Sequence, residues 1–95
     1  MNVVVAVGEG QIVDSVTATR GGVEQECDDG GLLSVGVRNF NCWEQGAGTY
    51  VIRVRSDAQT WTKSIKLQAD EEVPCHVVPG KLHFDLAAET ADPAP

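Results

Sequence analysis

Basic charge is scarce in this sequence. Seven Lys and Arg stand against fourteen Asp and Glu, which gives a net charge of −7 and a pI near 4.5. A surface of that sign repels phosphate backbones and anionic headgroups, so no nucleic-acid partner is expected. Long apolar runs are missing too. Val3-Val4-Val5-Ala6-Val7 is the densest. It falls far short of the ~20 residues of a membrane-spanning helix and is shorter than a signal-peptide core. No transmembrane segment is expected. Imidazole is limited to His76 and His83, and neither Gly-x-Ser-x-Gly nor Cys-x-x-Cys occurs. A serine triad needs a base and an orienting acid in reach, and structural zinc needs four clustered ligands. The expectation is no catalytic residue, no cofactor and no metal site.

Helical periodicity is absent as well, and period two takes its place. Hydrophobic residues make up 42% and charged residues 22% of 95 positions, an ordinary globular composition of single-domain length. The clearest stretch is Gly48-Thr49-Tyr50-Val51-Ile52-Arg53-Val54-Arg55, a turn and then a strand with Tyr50, Ile52 and Val54 on one face. Around it the chain alternates between short apolar runs and turn signals. Val3–Val7 is a β-branched strand, and Val16 and Ala18 point inward from the next. Gly21-Gly22 marks a hairpin, returning along Val23–Cys27. Asp28-Asp29-Gly30-Gly31 reads as a turn cluster. Leu32–Arg38 reads as one strand with Leu33, Val35 and Val37 on one face, Leu32, Ser34, Gly36 and Arg38 on the other, and a bulge at Gly36.

Trp43 is expected in the core, since an indole of its size is costly to leave in water. Asp57-Ala58-Gln59 turns the chain into Thr60–Ala69, which buries Trp61, Ile65 and Leu67. Lys63 falls on that apolar face and must reach water by its long stem. After Asp70-Glu71-Glu72 and Pro74, Cys75–Val78 resumes an apolar run. Leu82, Phe84 and Leu86 close the core. Residues 89–95 carry nothing to bury and are expected as a flexible tail, leaving 1–88 as the domain. Seven or eight short strands at this spacing define an all-β fold, a small antiparallel β-sandwich.

Three cysteines allow one disulfide and one free thiol. Cys27 and Cys42 lie fifteen positions apart, and a bridge there would close the most irregular region at a gain of ~3 kcal/mol. Cys42–Cys75 is the rival pairing. Cys75 and His76 offer a thiol and an imidazole to a metal- or redox-active alternative. On a strand, however, adjacent side chains face opposite ways. Asp28-Asp29 and Asp70-Glu71-Glu72 are carboxylate clusters without calcium-loop spacing and read as solvated turns. Val51, Arg53, Arg55, Thr60, Thr62 and Lys66 form the most cationic face, and they read as a solvated outer surface.

The Gly48-x-Tyr50-x-Ile52-x-Val54 strand, Trp61 with its alternating strand to Leu67, Cys75-His76-Val77 and the closing Leu82, Phe84, Leu86 resemble a known module. It is the carboxypeptidase regulatory-like domain, a prealbumin-like (transthyretin-like) β-sandwich of exported bacterial lipoproteins. The Tyr50 strand is shared with immunoglobulin-like domains, where such a tyrosine donates to backbone at a sheet corner. Gly48, Tyr50, Trp43 and Trp61 are accordingly expected to be structural. The resemblance implies an extracytoplasmic place, in the periplasm, the cell envelope or secreted. A lipid anchor would lie outside this sequence. It also implies a non-catalytic binding or structural role toward a protein or carbohydrate partner. The transthyretin-like hydrolases of 5-hydroxyisourate carry a Tyr-Arg-Gly-Ser motif that does not occur here, so their activity is not carried over.

Overall fold

Eight strands account for nearly all the regular structure. In chain order they are β1 (Asn2–Ala6), β2 (Ser15–Arg20), β3 (Val23–Glu26), β4 (Asp28–Ser34), β5 (Val37–Asn41), β6 (Gly48–Ser56), β7 (Gln59–Leu67) and β8 (Lys81–Asp85). The computed structural model describes residues 1–93. Two four-stranded sheets form, ordered β4-β5-β1-β8 and β3-β2-β6-β7. Alternation decides which side chains lie between them. Val3, Val5, Phe40, Phe84 and Leu86 come from the first sheet side, and Val16, Ala18, Tyr50, Ile52, Val54, Trp61 and Leu67 from the second. Most of their neighbours on the outer faces are polar or half exposed, as a two-layer sandwich requires, with Val4 of β1 a buried apolar exception.

One pairing departs from the antiparallel expectation. β1 lies between β5, antiparallel to it, and β8, parallel to it. Both of its neighbours cover it, which explains why Val3, Val4 and Val5 are all buried. β6 and β7 form the longest ladder, running unbroken from Gly48↔Leu67 to Ser56↔Gln59. The turn between them places Asp57 and Ala58 at φ 48° and 63°.

The region from Asp28 to Asn41 is organised differently from its sequence pattern. The expected Leu32–Arg38 strand is cut by a turn at Val35-Gly36, with Gly36 at φ 73°. The expected turn at Asp28–Gly31 is instead the start of β4 and carries the register shift, between Asp29 and Gly31. A second shift follows between Leu32 and Ser34. The result is a β4–β5 hairpin at the edge of the first sheet, and Leu32, Leu33 and Val35 face solvent. Trp43 is also corrected: it is 67% exposed, because β5 ends at Asn41 and the indole leaves the sandwich with the following loop.

Two further expectations change. Cys75–Val78 forms no strand; only Ala69 and Val77 bridge there. The segment from Glu89 is not free. Trp61 Nε1 donates to Glu89 O (2.9 Å), Asp92 N to Thr60 O (2.7 Å) and Thr62 Oγ1 to Asp92 Oδ2 (2.6 Å). The folded unit thus runs through Asp92, past the expected limit at 88. Of the expected tail, Ala94 and Pro95 lie outside the described residues.

Candidate functional site

The Cys27–Cys42 disulfide is present and decides the geometry of the candidate site. Asp28 pairs with Asn41 at the open end of the β4–β5 hairpin, so the two cysteines are the next opposed pair. Their Cα atoms stand 4.4 Å apart. The bridge thus clamps the base of the hairpin, with both cysteines buried. Disulfides persist in oxidising compartments such as the periplasm or the cell exterior. The remaining cysteine, Cys75, is a free exposed thiol at φ 67°. His76 follows it, yet among the described residues no three His, Cys, Asp or Glu side chains gather as a metal site would require.

At the far end of the same hairpin is the apolar tip. Leu32 and Leu33 are 66% and 60% exposed and Val35 is fully exposed. Ile12, 74% exposed, stands nearby across a cleft of ≈ 420 Å³ lined by Val7, Val13, Leu32, Gly36, Asp29 and Arg38. Arg38 donates to Asp29 Oδ2 at 2.6 Å. The Gly31 N–H also donates to that carboxylate, and these two bonds, the backbone one first, hold the Asp29 pKa below its ordinary value. The rim is otherwise acidic, with Asp14 and Asp57 beyond Ile12. Three large apolar side chains exposed at the tip of one braced hairpin are unusual for a free surface.

The loop from Cys42 to Gly48 is fastened from the second sheet. Tyr50 hydroxyl donates to Gly46 O (2.7 Å) and accepts from Gln45 N (2.8 Å). Arg20 donates to Gln45 O (2.8 Å) and Ala47 O (2.9 Å) and lies 5.8 Å from the Tyr50 ring centroid. Gly48 sits at φ 140°, and a Cβ there would stand 3.0 Å from Arg20 Nε. Glycine at this position therefore lets the guanidinium close over the loop. The outcome is a rigid platform that holds Trp43 in solvent. Trp43 shares a shallow depression of ≈ 250 Å³ with Asp28, Asn41 and Cys42.

The opposite side of the sandwich is closed by Lys63. Its ammonium donates to His83 O (2.6 Å), pairs with Glu89 Oε1 (2.7 Å) and lies 4.9 Å from the Phe84 ring centroid. The Lys63 bond, more than any other contact, holds the Glu89 carboxyl below its usual pKa; burial opposes it and the Asp85 N–H adds to it. Lys63 thus reaches water along the seam, as its long stem allows. The cationic row on the second sheet keeps its outer position. Arg53 pairs across from Thr62 and Arg55 from Thr60, and Arg55 is exposed.

Pattern reading singled out Tyr50, Gly48, Trp61 and both bridge cysteines. It missed Leu32 and Leu33 as a surface pair, and it missed Asp28 and Asn41 as neighbours of Trp43. A Gly at 36 after Val35 was the available signal for the turn that exposes them. No family model, no curated protein and no solved structure matches this chain.

Proposed function

We propose that this chain is a non-catalytic binding module of an exported or cell-envelope protein, prealbumin-like in fold. It docks on a protein partner through the tip of its β4–β5 hairpin. The observation that carries the reading is the exposure of Leu32, Leu33 and Val35 at the tip of a hairpin whose base is clamped by a disulfide, with Ile12 of the β1–β2 loop across the cleft from Leu32. Burying such a patch supplies affinity at about 25 cal/mol per Å² of apolar area, less the cost of association. A pre-braced hairpin loses little conformational entropy on docking. The acidic rim from Asp14 and Asp57 favours a partner with basic residues around an apolar surface.

Strand order supports the prealbumin-like half of the fold reading. Immunoglobulin constant domains place their first two strands in one sheet. Here β1 and β2 lie in different sheets. The bridge between Cys27 and Cys42 supports the oxidising location.

The test is site-specific photo-crosslinking in the cells that produce the protein, with the reactive side chain at Val35. A discrete protein adduct is expected, abolished by Leu33→Glu in a chain whose melting temperature is unchanged. An adduct pattern identical in wild type and Leu33→Glu, or no adduct at all, would sink the reading.

A further inference from the structure

A second surface lies at the other end of the same hairpin and on the other face of its sheet. Asp28 on β4 pairs with Asn41 on β5, Asn41 with Asn2 on β1, and Asn2 with Lys81 on β8. These four residues form one straight row across all four strands. Their sequence neighbours Cys27, Cys42 and Val3 are buried, so by strand alternation the row belongs to the outer face. Asn39 and His83 stand one row further along that face, on either side of Val4. Trp43, in the loop beyond the end of β5, shares a shallow depression with Asp28 and Asn41 at the end of the row, and it also lines a cavity with Arg20, Val23, Gln25 and Tyr50 of the other sheet.

Among the described residues, two shielded amide oxygens of this face, Asn2 Oδ1 and Asn39 Oδ1, have no hydrogen-bond partner. Leaving a shielded polar atom unpaired is costly, and such atoms in a folded protein call for an explanation. Gly30 contributes as well. A Cβ at that position would lie 3.0 Å from Asn39 Nδ2 and 3.2 Å from Asn41 Nδ2. Its φ is not in the left-handed region, so the bare backbone matters here for space: two amides converge over it.

We propose that the row Asp28–Asn41–Asn2–Lys81, with Trp43 at its end, is a binding track for a neutral polysaccharide chain. A pyranose ring has an apolar C–H face and a rim of hydroxyls. An exposed indole covers the first. Amides, which both donate and accept, and a carboxylate that accepts twice, read the second. Strands are about 4.8 Å apart, close to the length of one sugar unit, so the row spans about three units over ~14 Å. The net charge of −7 and Asp28 at the Trp43 end select against anionic glycans and nucleic acids. The disulfide directly behind Asp28 and Asn41 fixes their spacing before any ligand arrives.

The track is independent of the docking tip, and each can fail without the other. The experiment is native affinity electrophoresis of the whole chain in gels holding mixed-linkage β-glucan, xylan, galactomannan or dextran. Tryptophan emission with the matching oligosaccharides is measured alongside it. Trp61 is buried and Trp43 exposed, so a ligand stacking on the track moves the exposed emission to the blue. Retardation by at least one of the four polymers is expected. Trp43→Ala should abolish it, and Asn41→Ala should weaken it about tenfold, both with unchanged melting temperature. Leu33→Glu should leave it intact. Retardation by none of the four, or equal retardation of wild type and Trp43→Ala, overturns the proposal.

Discussion

Two of the hairpins in the molecule, β6–β7 and β4–β5, are alike in the chain and opposite in character in the fold. In β6–β7, two strands of nine residues pair without a shift and bury Tyr50, Ile52, Val54, Trp61 and Leu67. In β4–β5, two register shifts interrupt the ladder, and only Phe40 is buried. The first is held by the core and needs no other fastening. The second hangs at a sheet edge, where its shifts also spoil the edge for pairing with another chain. A covalent bridge at its base replaces the missing apolar contacts. A hairpin freed from core packing keeps its side chains available, and both proposed binding surfaces include residues of it.

The largest effect separates the two hairpins directly. Ile52 is fully buried, and Ile52→Ala should cost about 2–5 kcal/mol by lost burial and the cavity left behind. Leu33→Ala, at the exposed tip, should change stability by no more than about 0.5 kcal/mol. Urea denaturation of the two variants measures both, and similar losses would erase the distinction.

The next effect tests what replaces packing in β4–β5. Cys27→Ser with Cys42→Ser opens a loop of fifteen residues' separation, at an expected cost of about 3 kcal/mol. Hydrogen exchange should then rise most in β4 and β5, while β6 and β7 keep their protection relative to global unfolding. Uniform loss across all strands would mean that the hairpin is not a separate unit.

The smallest effect concerns the seam beside β7. Glu89 has its pKa lowered, chiefly by the Lys63 bond. A lowered carboxyl pKa stabilises the folded state above the unfolded value, ~4.3 for an ordinary glutamate, and the contribution fades as pH falls through the lower folded value. Because both side chains are about one-third exposed, the contribution should be below about 1 kcal/mol. Glu89→Gln should therefore lower the melting temperature slightly at neutral pH and match wild type in strong acid. A gap between the two that persists in acid would place the effect elsewhere than in charge.

Legibility followed the same division. Tyr50, Ile52 and Val54 announce their face because each lies opposite a core that the whole second sheet shares. Gly21-Gly22 and Asp57-Ala58 announce their turns because local backbone chemistry decides them. The Leu32–Val37 stretch misleads, since apolar alternation there reflects no core contact. Trp43 misleads for the same reason: its size predicts burial, but the loop that Arg20 and Tyr50 hold carries it outward. The 89–92 segment shows no pattern because backbone atoms and short polar side chains, which have no periodicity, make most of its contacts.

What the amino-acid order determined by itself was the all-β class, the inner faces of β2, β6, β7 and β8, and the chance of a Cys27–Cys42 bridge. These rest on alternation and turn preference, which act over a few residues. What only the tertiary structure decided was the parallel seat of β8 beside β1, the exposure of Leu32, Leu33 and Trp43, and the alignment of Asp28, Asn41, Asn2 and Lys81. Those depend on which strands become neighbours, and that choice is made by packing between segments far apart in the chain.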